Sequence, residues 1–324
     1  MPTKPLPVAM LVVALGAAVP VAVLAQDYPV RPVNIVIGYA PGGAVDIPAR
    51  YFARRLTVLT GQPFVLENRP GALTNIAAEM VARAKPDGYT LFIASGNATM
   101  ASNPHLFKKL PFDPVRDFTP VGTLYRLPFI LVVNAKNPVN SVAELTAYLK
   151  KKGASGNYGY AGSFALIASE LYKSVAGLQT QAISYKVPQQ SIPALISGEL
   201  DFLIQDSANV LRQVAAGTLK GLAVTPSQRS SLIPELPTME EAGIPGYDLS
   251  GWFGLYLPAN APAALVARLQ SLFAPLLTED ETRKTLASIG TEPFPGNAQF
   301  LAQLQARELE KWGRLLKLAK IEPE

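Results

Sequence analysis

The sequence lacks cysteine and contains a single histidine, His105, among its 324 residues. The absence of cysteine excludes disulfides, zinc–thiolate sites, iron–sulfur clusters and a cysteine nucleophile. One histidine excludes a metal site built from two or three histidines of one chain, and a histidine-based catalytic triad would have to use His105. Because Pro104 precedes it and Leu106 follows it, a surface or capping role is favoured. We therefore expect neither a metal nor a cofactor.

Charged residues are also scarce, at 16%, whereas hydrophobic residues make up 49%. This composition excludes a disordered chain, which would need low hydrophobicity and high charge. The 29 basic and 24 acidic residues give a net charge of +5, and the longest basic run is the three lysines at 150–152. Dispersed basic charge predicts no nucleic-acid partner. The length allows about two domains of roughly 150 residues each.

Residues 1–25 are predicted to be a secretory signal peptide that is cleaved after Ala25. Lys4 is the only charge in this segment, and residues 8–25 form an apolar run that ends in VLA. Cleavage would release an exported protein. An uncleaved membrane anchor is the alternative, although the run is at the lower length limit for spanning a bilayer and Pro20 interrupts it.

Short apolar runs alternate with helical stripes along the rest of the chain. The runs predict strands at residues 33–38, 64–66, 90–94, 128–133, 157–160, 182–185, 201–205, 222–224 and 252–257. Apolar residues spaced by three and four predict the intervening helices. This order favours an α/β protein of two lobes with a cleft between them, each lobe a mostly parallel sheet flanked by helices.

The strand at 252–257 lies far along the chain and could return to the first sheet. We therefore predict that residues 26–125 and 250–324 form lobe 1 and that residues 126–249 form lobe 2.

Two small-residue loops stand where a predicted strand gives way to a helix, at 41–43 (PGG) and 160–164 (YAGSF). Free backbone N–H groups at a helix start bind carboxylates or phosphates. The alternatives are a tight turn with Asp46 in the first helical turn, and an ordinary loop with Ser163 as N-cap. Asp206 ends a strand, where site residues of open α/β sheets usually lie, although a capped or solvated loop fits equally.

Several motifs taken together resemble the substrate-binding receptors of tripartite tricarboxylate transporters, also called Bug-type receptors. They include residues 28–32 (YPVRP), 41–46 (PGGAVD), 67–72 (ENRPGA), 86–91 (PDGYTL), 110–114 (LPFDP), 241–246 (EAGIPG) and 252–254 (WFG). The resemblance extends from about residue 27 to 321. It implies a monomeric periplasmic receptor, not an enzyme, that closes around a small organic acid and delivers it to membrane transporter subunits.

The resemblance also implies ligand-binding residues in the loops of both lobes. In lobe 1 these are Tyr39, Ala40, Pro41, Gly42, Gly43, Asp46, Ser95 and Asn97. In lobe 2 they are Ala161, Gly162, Ser163, Phe164, Tyr185, Gln189 and Asp206.

The chain departs from the family pattern at three places near these loops. Leu73 and Thr74 stand where a Gly-Gly pair is usual, Phe164 lies in a loop usually richer in Gly, Ser and Asn, and Val187 replaces a glycine. Valine does not easily adopt positive φ, so we expect the backbone at Val187 to differ. These changes favour a monocarboxylate, or a ligand with an apolar or aromatic body, over a small di- or tricarboxylate.

Two other functions remain open on the sequence. A periplasmic sensor could share the fold and pass its signal to a different partner. An exported hydrolase would need His105 near a serine and an acid, but the G-x-S-x-G nucleophile motif is absent.

Overall fold

The computed structural model describes residues 28–319 and 321–323. The predicted signal peptide lies outside the described residues. The described part of the chain has no helix that combines the length and the hydropathy needed to span a bilayer.

Strands and helices alternate along the chain. The strands are β1 (Val33–Ile37), β2 (Phe64–Asn68), β3 (Thr90–Ser95), β4 (Phe118–Leu127), β5 (Phe129–Asn134), β6 (Asn157–Tyr160), β7 (Gln181–Ser184), β8 (Phe202–Asp206), β9 (Leu219–Val224), β10 (Gly251–Pro258) and β11 (Glu292–Asn297). The helices are α1 (Asp46–Thr60), α2 (Asn75–Ala82), α3 (Asn103–Leu106), α4 (Val142–Lys152), α5 (Ser163–Ala176), α6 (Pro188–Ser197), α7 (Ser207–Ala215), α8 (Ala263–Leu276), α9 (Asp280–Ser288) and α10 (Ala298–Leu318).

The strands form two sheets, in the orders β11-β4-β10-β3-β1-β2 and β7-β6-β8-β5-β9. The predicted α/β fold is confirmed, and β10 lies in the first sheet, between β3 and β4. The sheets are mixed, however, rather than mostly parallel. Among the strands of the described residues, β1 pairs in parallel with β2 and β3, and β6 pairs in parallel with β7 and β8. The strands that precede and follow the two crossovers, β4, β5, β9 and β10, pair antiparallel with their neighbours.

Helices cover both faces of each sheet and bury apolar side chains against it. The first sheet packs against α1 and α8 on one side and α2 and α10 on the other, and the second sheet packs against α4 and α5 and against α6 and α7. Representative core residues of these four layers are Phe52, Phe273, Ala78, Leu301, Leu145, Tyr172, Leu195 and Val210. Each fully buried large side chain contributes about 1.5–3 kcal/mol of hydrophobic stabilisation.

Helix α10 belongs to both cores. Leu301, near its start, packs in the core of the first sheet, whereas Trp312 and Leu316 pack in the core of the second. The helical turn before α3 (Ala98–Ser102) also contributes to both cores, because Met100 packs in the first core and Ala101 in the second. These two segments therefore connect the lobes by packing, in addition to the two chain crossovers from β4 to β5 and from β9 to β10.

Candidate functional site

The carboxyl ends of β1, β2 and β3 carry the lobe 1 loops that the sequence singled out. Because these three strands are parallel, their carboxyl ends lie at one edge of the sheet. The loop at 39–45 follows β1, the turn at Ala72–Thr74 follows β2, and Asn97 follows β3. The structure therefore brings the candidate residues of lobe 1 to one edge.

Asp46 holds the first of these loops in place. Its carboxylate accepts hydrogen bonds from the amide of Gly42 (2.9 Å), from Arg50 Nε (2.8 Å) and from Asn68 Nδ2 (2.8 Å). Asn68 Nδ2 also donates to the carbonyl oxygen of Tyr39 at 2.9 Å. Burial alone would raise the pKa of Asp46, but the hydrogen bonds from Arg50, Gly42 and Asn68 outweigh it and lower the pKa. The carboxylate therefore positions the loop from within.

The start of α1 presents unpaired backbone donors. Within the described part of the chain, the amides of Gly43, Ala44 and Val45 donate to no protein acceptor. Val45 is the N-cap of a 15-residue helix and supplies no side-chain cap. Successive free N–H groups at the positive end of a helix form a site for an anion. The predicted turn is also present, with Asp46 in the first helical turn, so the two interpretations of this loop are compatible.

Tyr39, Ser95 and Asn97 form a polar group beside this loop. Burial raises the pKa of the Tyr39 hydroxyl, and the neighbouring Ser95 hydroxyl partly offsets the rise. Ser95 Oγ donates to Asn97 Oδ1 at 3.1 Å. The Tyr39 ring packs edge-on against Phe253 at 6.2 Å between centroids. The group is thus fixed by the first sheet.

In lobe 2 the loop after β6 opens helix α5. Gly162, with φ +80°, is the N-cap, so α5 begins at Ser163 and Ser163 is not the cap. The Phe164 ring stacks on Phe129 with centroids 3.9 Å apart and lies 5.5 Å from Trp312. Phe164 therefore joins the loop to the core of lobe 2 and to α10.

The loop after β7 lies beside it. The amide of Tyr185 donates to the carbonyl oxygen of Tyr160 at 2.8 Å. Val187 adopts extended backbone angles (φ −139°, ψ 151°), which is the backbone a valine favours. The side chains of Ser163 and Gln189 lie outside the described part of the structure, and their roles stay predictions.

Asp206 caps helix α7 at the carboxyl end of β8. Its carboxylate accepts hydrogen bonds from the amide and side chain of Asn209 (3.1 and 2.8 Å) and from Gln205 Nε2 (2.8 Å). Burial raises the pKa of Asp206, and these hydrogen bonds oppose the rise only in part. The two interpretations made from the sequence coexist, since Asp206 is both an N-cap and a residue at the sheet edge.

Each edge lies next to a segment that connects the lobes. Asn97 Oδ1 accepts the amide of Trp252 at 3.4 Å, next to the crossover where Gly251 pairs with Leu127. On the other side Ser207, which follows β8, donates to the carbonyl oxygen of Gly290. Among the described residues, no hydrogen bond links the candidate group of lobe 1 with that of lobe 2. The candidate residues thus form two groups at one boundary.

Sequence reasoning missed the residues that position the lobe 1 loop. Arg50 stands four residues after Asp46, a spacing at which opposite charges meet on a helix, so this pair could have been predicted. Asn68 comes from a different strand, and its contact with Asp46 has no local signal.

His105 and Asp201 have hydrogen-bond partners away from these loops. His105 Nε2 lies 2.9 Å from the carbonyl oxygen of Leu309 in α10. Asp201, at the start of β8, accepts hydrogen bonds from Lys152 Nζ (2.7 Å) and the Tyr148 hydroxyl (3.2 Å). The described residues contain no cluster of histidine and acidic side chains suited to a metal ion.

The sequence model of the family described as "Tripartite tricarboxylate transporter family receptor" matches residues 49–321. The chain belongs to this family. Protein BugT of Bordetella pertussis is 29% identical to this receptor over 314 residues, which cover 96% of this chain and 95% of BugT.

Solved structures of similar proteins share the fold. R. palustris Rpa4515 with adipate is 34% identical, covers 92% of this receptor and 100% of its own chain, and has a TM-score of 0.76. The periplasmic binding protein BugD is 28% identical, with 92% and 100% covered and a TM-score of 0.72. MatC from Rhodopseudomonas palustris with bound malate is 30% identical, with 89% and 100% covered and a TM-score of 0.70.

Proposed function

We propose that this receptor captures a small organic carboxylate between its lobes in the periplasm and delivers it to a tripartite tricarboxylate-type membrane transporter. The observation that carries the proposal is the row of free amides at Gly43, Ala44 and Val45, at the start of α1. Amides at a helix start suit a carboxylate because they offer aligned donors without a competing charge. The adipate and malate in the structures of similar proteins support the same ligand class.

The proposed mechanism is closure of the two lobes. The ligand carboxylate binds first at the amides of lobe 1, while the loops of lobe 2 add contacts that exist only in the closed state, so that binding favours closure. Asp46 positions the first loop instead of contacting the ligand. The proposed contact residues are Tyr39, Ala40, Pro41, Gly42, Gly43, Ser95, Asn97, Ala161, Gly162, Ser163, Phe164, Tyr185, Gln189 and Asp206.

The remaining features belong to the same proposal. The receptor is exported by a signal peptide cleaved after Ala25 and acts as a monomer. Its lobes comprise residues 26–125 with 250–324, and residues 126–249, with the C-terminal half of α10 packed on the second lobe. We propose no catalytic role, because His105, the one histidine, is bonded to α10.

A thermal-shift series on the mature protein tests the ligand class. The series compares hexanoate, adipate and malate with hexanamide and adipamide. The two amides keep the carbon chains of hexanoate and adipate but lack the negative charge. At least one acid should raise the melting temperature in a concentration-dependent way, while its amide should not. Stabilisation by an amide to the same extent as by its acid would contradict an anion site. Native mass spectrometry of the protein as purified would give the mass of any ligand carried through purification.

A further inference from the structure

The two lobes present equivalent loops at the boundary between them. In the first sheet β2-β1-β3 are adjacent and parallel, and in the second sheet β7-β6-β8 have the same arrangement. The loop after β2, with Leu73, therefore corresponds to the loop after β7, with Val187. Both side chains are apolar and exposed, Leu73 at 61% and Val187 at 45%. Each lobe thus places one aliphatic side chain at an equivalent position of its binding edge.

The backbone around Leu73 has an unfavourable conformation for residues with side chains. Ala72, Leu73 and Thr74 have φ values of +45°, +49° and +77°. Only glycine adopts this region without a steric cost, and single residues such as Asn visit it occasionally. A residue with a side chain persists in this conformation only when the surrounding contacts hold the backbone there. Because such strained residues cluster at functional sites, Leu73 is a candidate for ligand binding.

Hydrogen bonds fix this turn with its backbone inward. Asn103 Nδ2 donates to the carbonyl oxygen of Leu73 at 2.8 Å, and the hydroxyls of Thr74 and Thr99 lie 2.6 Å apart. The amide of Thr74 donates to the carbonyl oxygen of Gly71 at 2.9 Å. The backbone of Leu73 is therefore held by the protein, while its side chain remains exposed.

The turn also packs directly on the loop that carries the proposed carboxylate site. A Cβ atom added at Gly38 would lie 2.5 Å from Thr74 Cβ, so the two segments are in contact at Gly38. Tyr39 follows Gly38 and leads to the free amides at the start of α1. In lobe 2, Val187 lies in the loop that follows Tyr185. Both aliphatic side chains thus adjoin loops of the proposed site.

We propose that Leu73 and Val187 are a pair of specificity-determining contacts, one from each lobe, that hold the aliphatic body of the ligand and select carboxylates with several methylene groups over compact hydroxylated acids. This inference rests on the proposed function. Apolar contacts from two lobes add affinity in proportion to the apolar surface that the ligand buries, and a short polar acid has none to bury.

Calorimetric titration of the mature protein with hexanoate, adipate and malate tests the pair. In wild type, hexanoate or adipate should bind more tightly than malate. Leu73→Gly and Val187→Ser should each weaken the longer acids by about fivefold to tenfold, which is the loss expected for one aliphatic contact, and should change malate affinity less than twofold. Leu73→Gly should also leave the melting temperature unchanged or higher, because glycine relieves the backbone strain.

Two control variants separate a contact from a general effect. Asn260→Gly relieves a positive φ of +63° at a site after β10, and Val115→Ser removes an exposed valine (58%) from another loop. Neither should change the ratio of the affinity for hexanoate or adipate to the affinity for malate. If wild type binds an acid but Leu73→Gly and Val187→Ser leave the affinity ratio of the longer acids to malate unchanged, or if wild type prefers malate, the inference is wrong and the proposed function stands. If none of the three acids binds, both are overturned.

Discussion

Asp46 and Asp206 are both buried beside the start of a helix, yet their pKa values shift in opposite directions. Asp46 has a cationic partner, Arg50, in addition to its amide donors. Among the described residues, the hydrogen-bond donors to Asp206 are the neutral groups of Gln205 and Asn209. The protein therefore stabilises the charged form of Asp46 and destabilises the charged form of Asp206. In the sequence, both residues have the same position, at the start of a helix.

We expect Asp206→Asn to remove a pH-dependent loss of stability. Since the pKa of Asp206 is higher in the folded than in the unfolded protein, its contribution is complete below the unfolded value of about 4 and is lost as the pH rises through the folded pKa. Asparagine is a good N-cap and carries no charge. Urea unfolding at pH 4 to 7 should show the variant gaining stability relative to wild type as the pH rises. A difference that does not vary with pH would contradict the assignment.

At the scale of the element, the loop from 39 to 45 and helix α1 act together, because Asp46 on the helix binds the amide of Gly42 in the loop. Gly42 has φ +84°, and a Cβ atom there would meet nothing within 4 Å. Gly153, at the end of α4, has φ +54° and equally open space. A substitution at either glycine would therefore cause the same backbone strain, but only Gly42 lies in the loop of the proposed site.

Gly42→Ala and Gly153→Ala should each lower the free energy of unfolding by about 1 kcal/mol, the cost of a left-handed backbone for a residue with a Cβ. Only Gly42→Ala should also weaken carboxylate binding, by about tenfold, because the shift displaces amide donors of the proposed site. Denaturant unfolding and calorimetry on both variants check this. Equal affinities in the two variants would show that the loop does not bind the ligand.

The sequence predicted most strands with a continuous apolar run and missed two strands, β4 and β11, in which proline and glycine interrupt the pattern. Strand β4 carries Pro120 beside a register shift, and β11 carries Pro293 and Pro295 at the edge of the sheet. Proline is accepted at bulges and edges because no ladder hydrogen bond is lost there. The loop at 41–46 was predicted from its own residues, whereas the bond from Asn68 to Asp46 depends on strand pairing and had no local signal.

At the scale of the whole molecule, the buried carboxylate of Glu292 joins the lobes beside the crossover. Arg126 Nε lies 2.6 Å from Glu292 Oε1, and both residues belong to the first sheet. The other oxygen of Glu292 accepts the amide of Ser231 at 2.7 Å and the Ser230 hydroxyl at 3.2 Å, from a segment that packs on the second lobe. Glu292 is 3% exposed. Its charge is thus shared between the two lobes.

Glu292→Gln should destabilise the protein by about 3 kcal/mol, because Arg126 would keep its buried charge without a carboxylate. The ligand-free protein should also become more open, which small-angle X-ray scattering would record as a larger radius of gyration. Glu310→Gln is the matched control, since Glu310 pairs with Arg314 in an exposed site and should change stability by less than about 0.5 kcal/mol. Equal effects of the two variants would exclude a role for Glu292 in joining the lobes.

The double membership of α10 has a consequence for the order in which the chain can fold. A ribosome delivers the N-terminal half of each polypeptide first, and domains usually fold as they emerge. Here the central strand β10 and helix α10 follow all the strands of the second sheet, and Trp312 fills the second core from the C-terminal half of α10. Neither lobe can complete its interior until α10 has been synthesised, so a chain that has emerged only as far as β9 still lacks part of the core of each lobe.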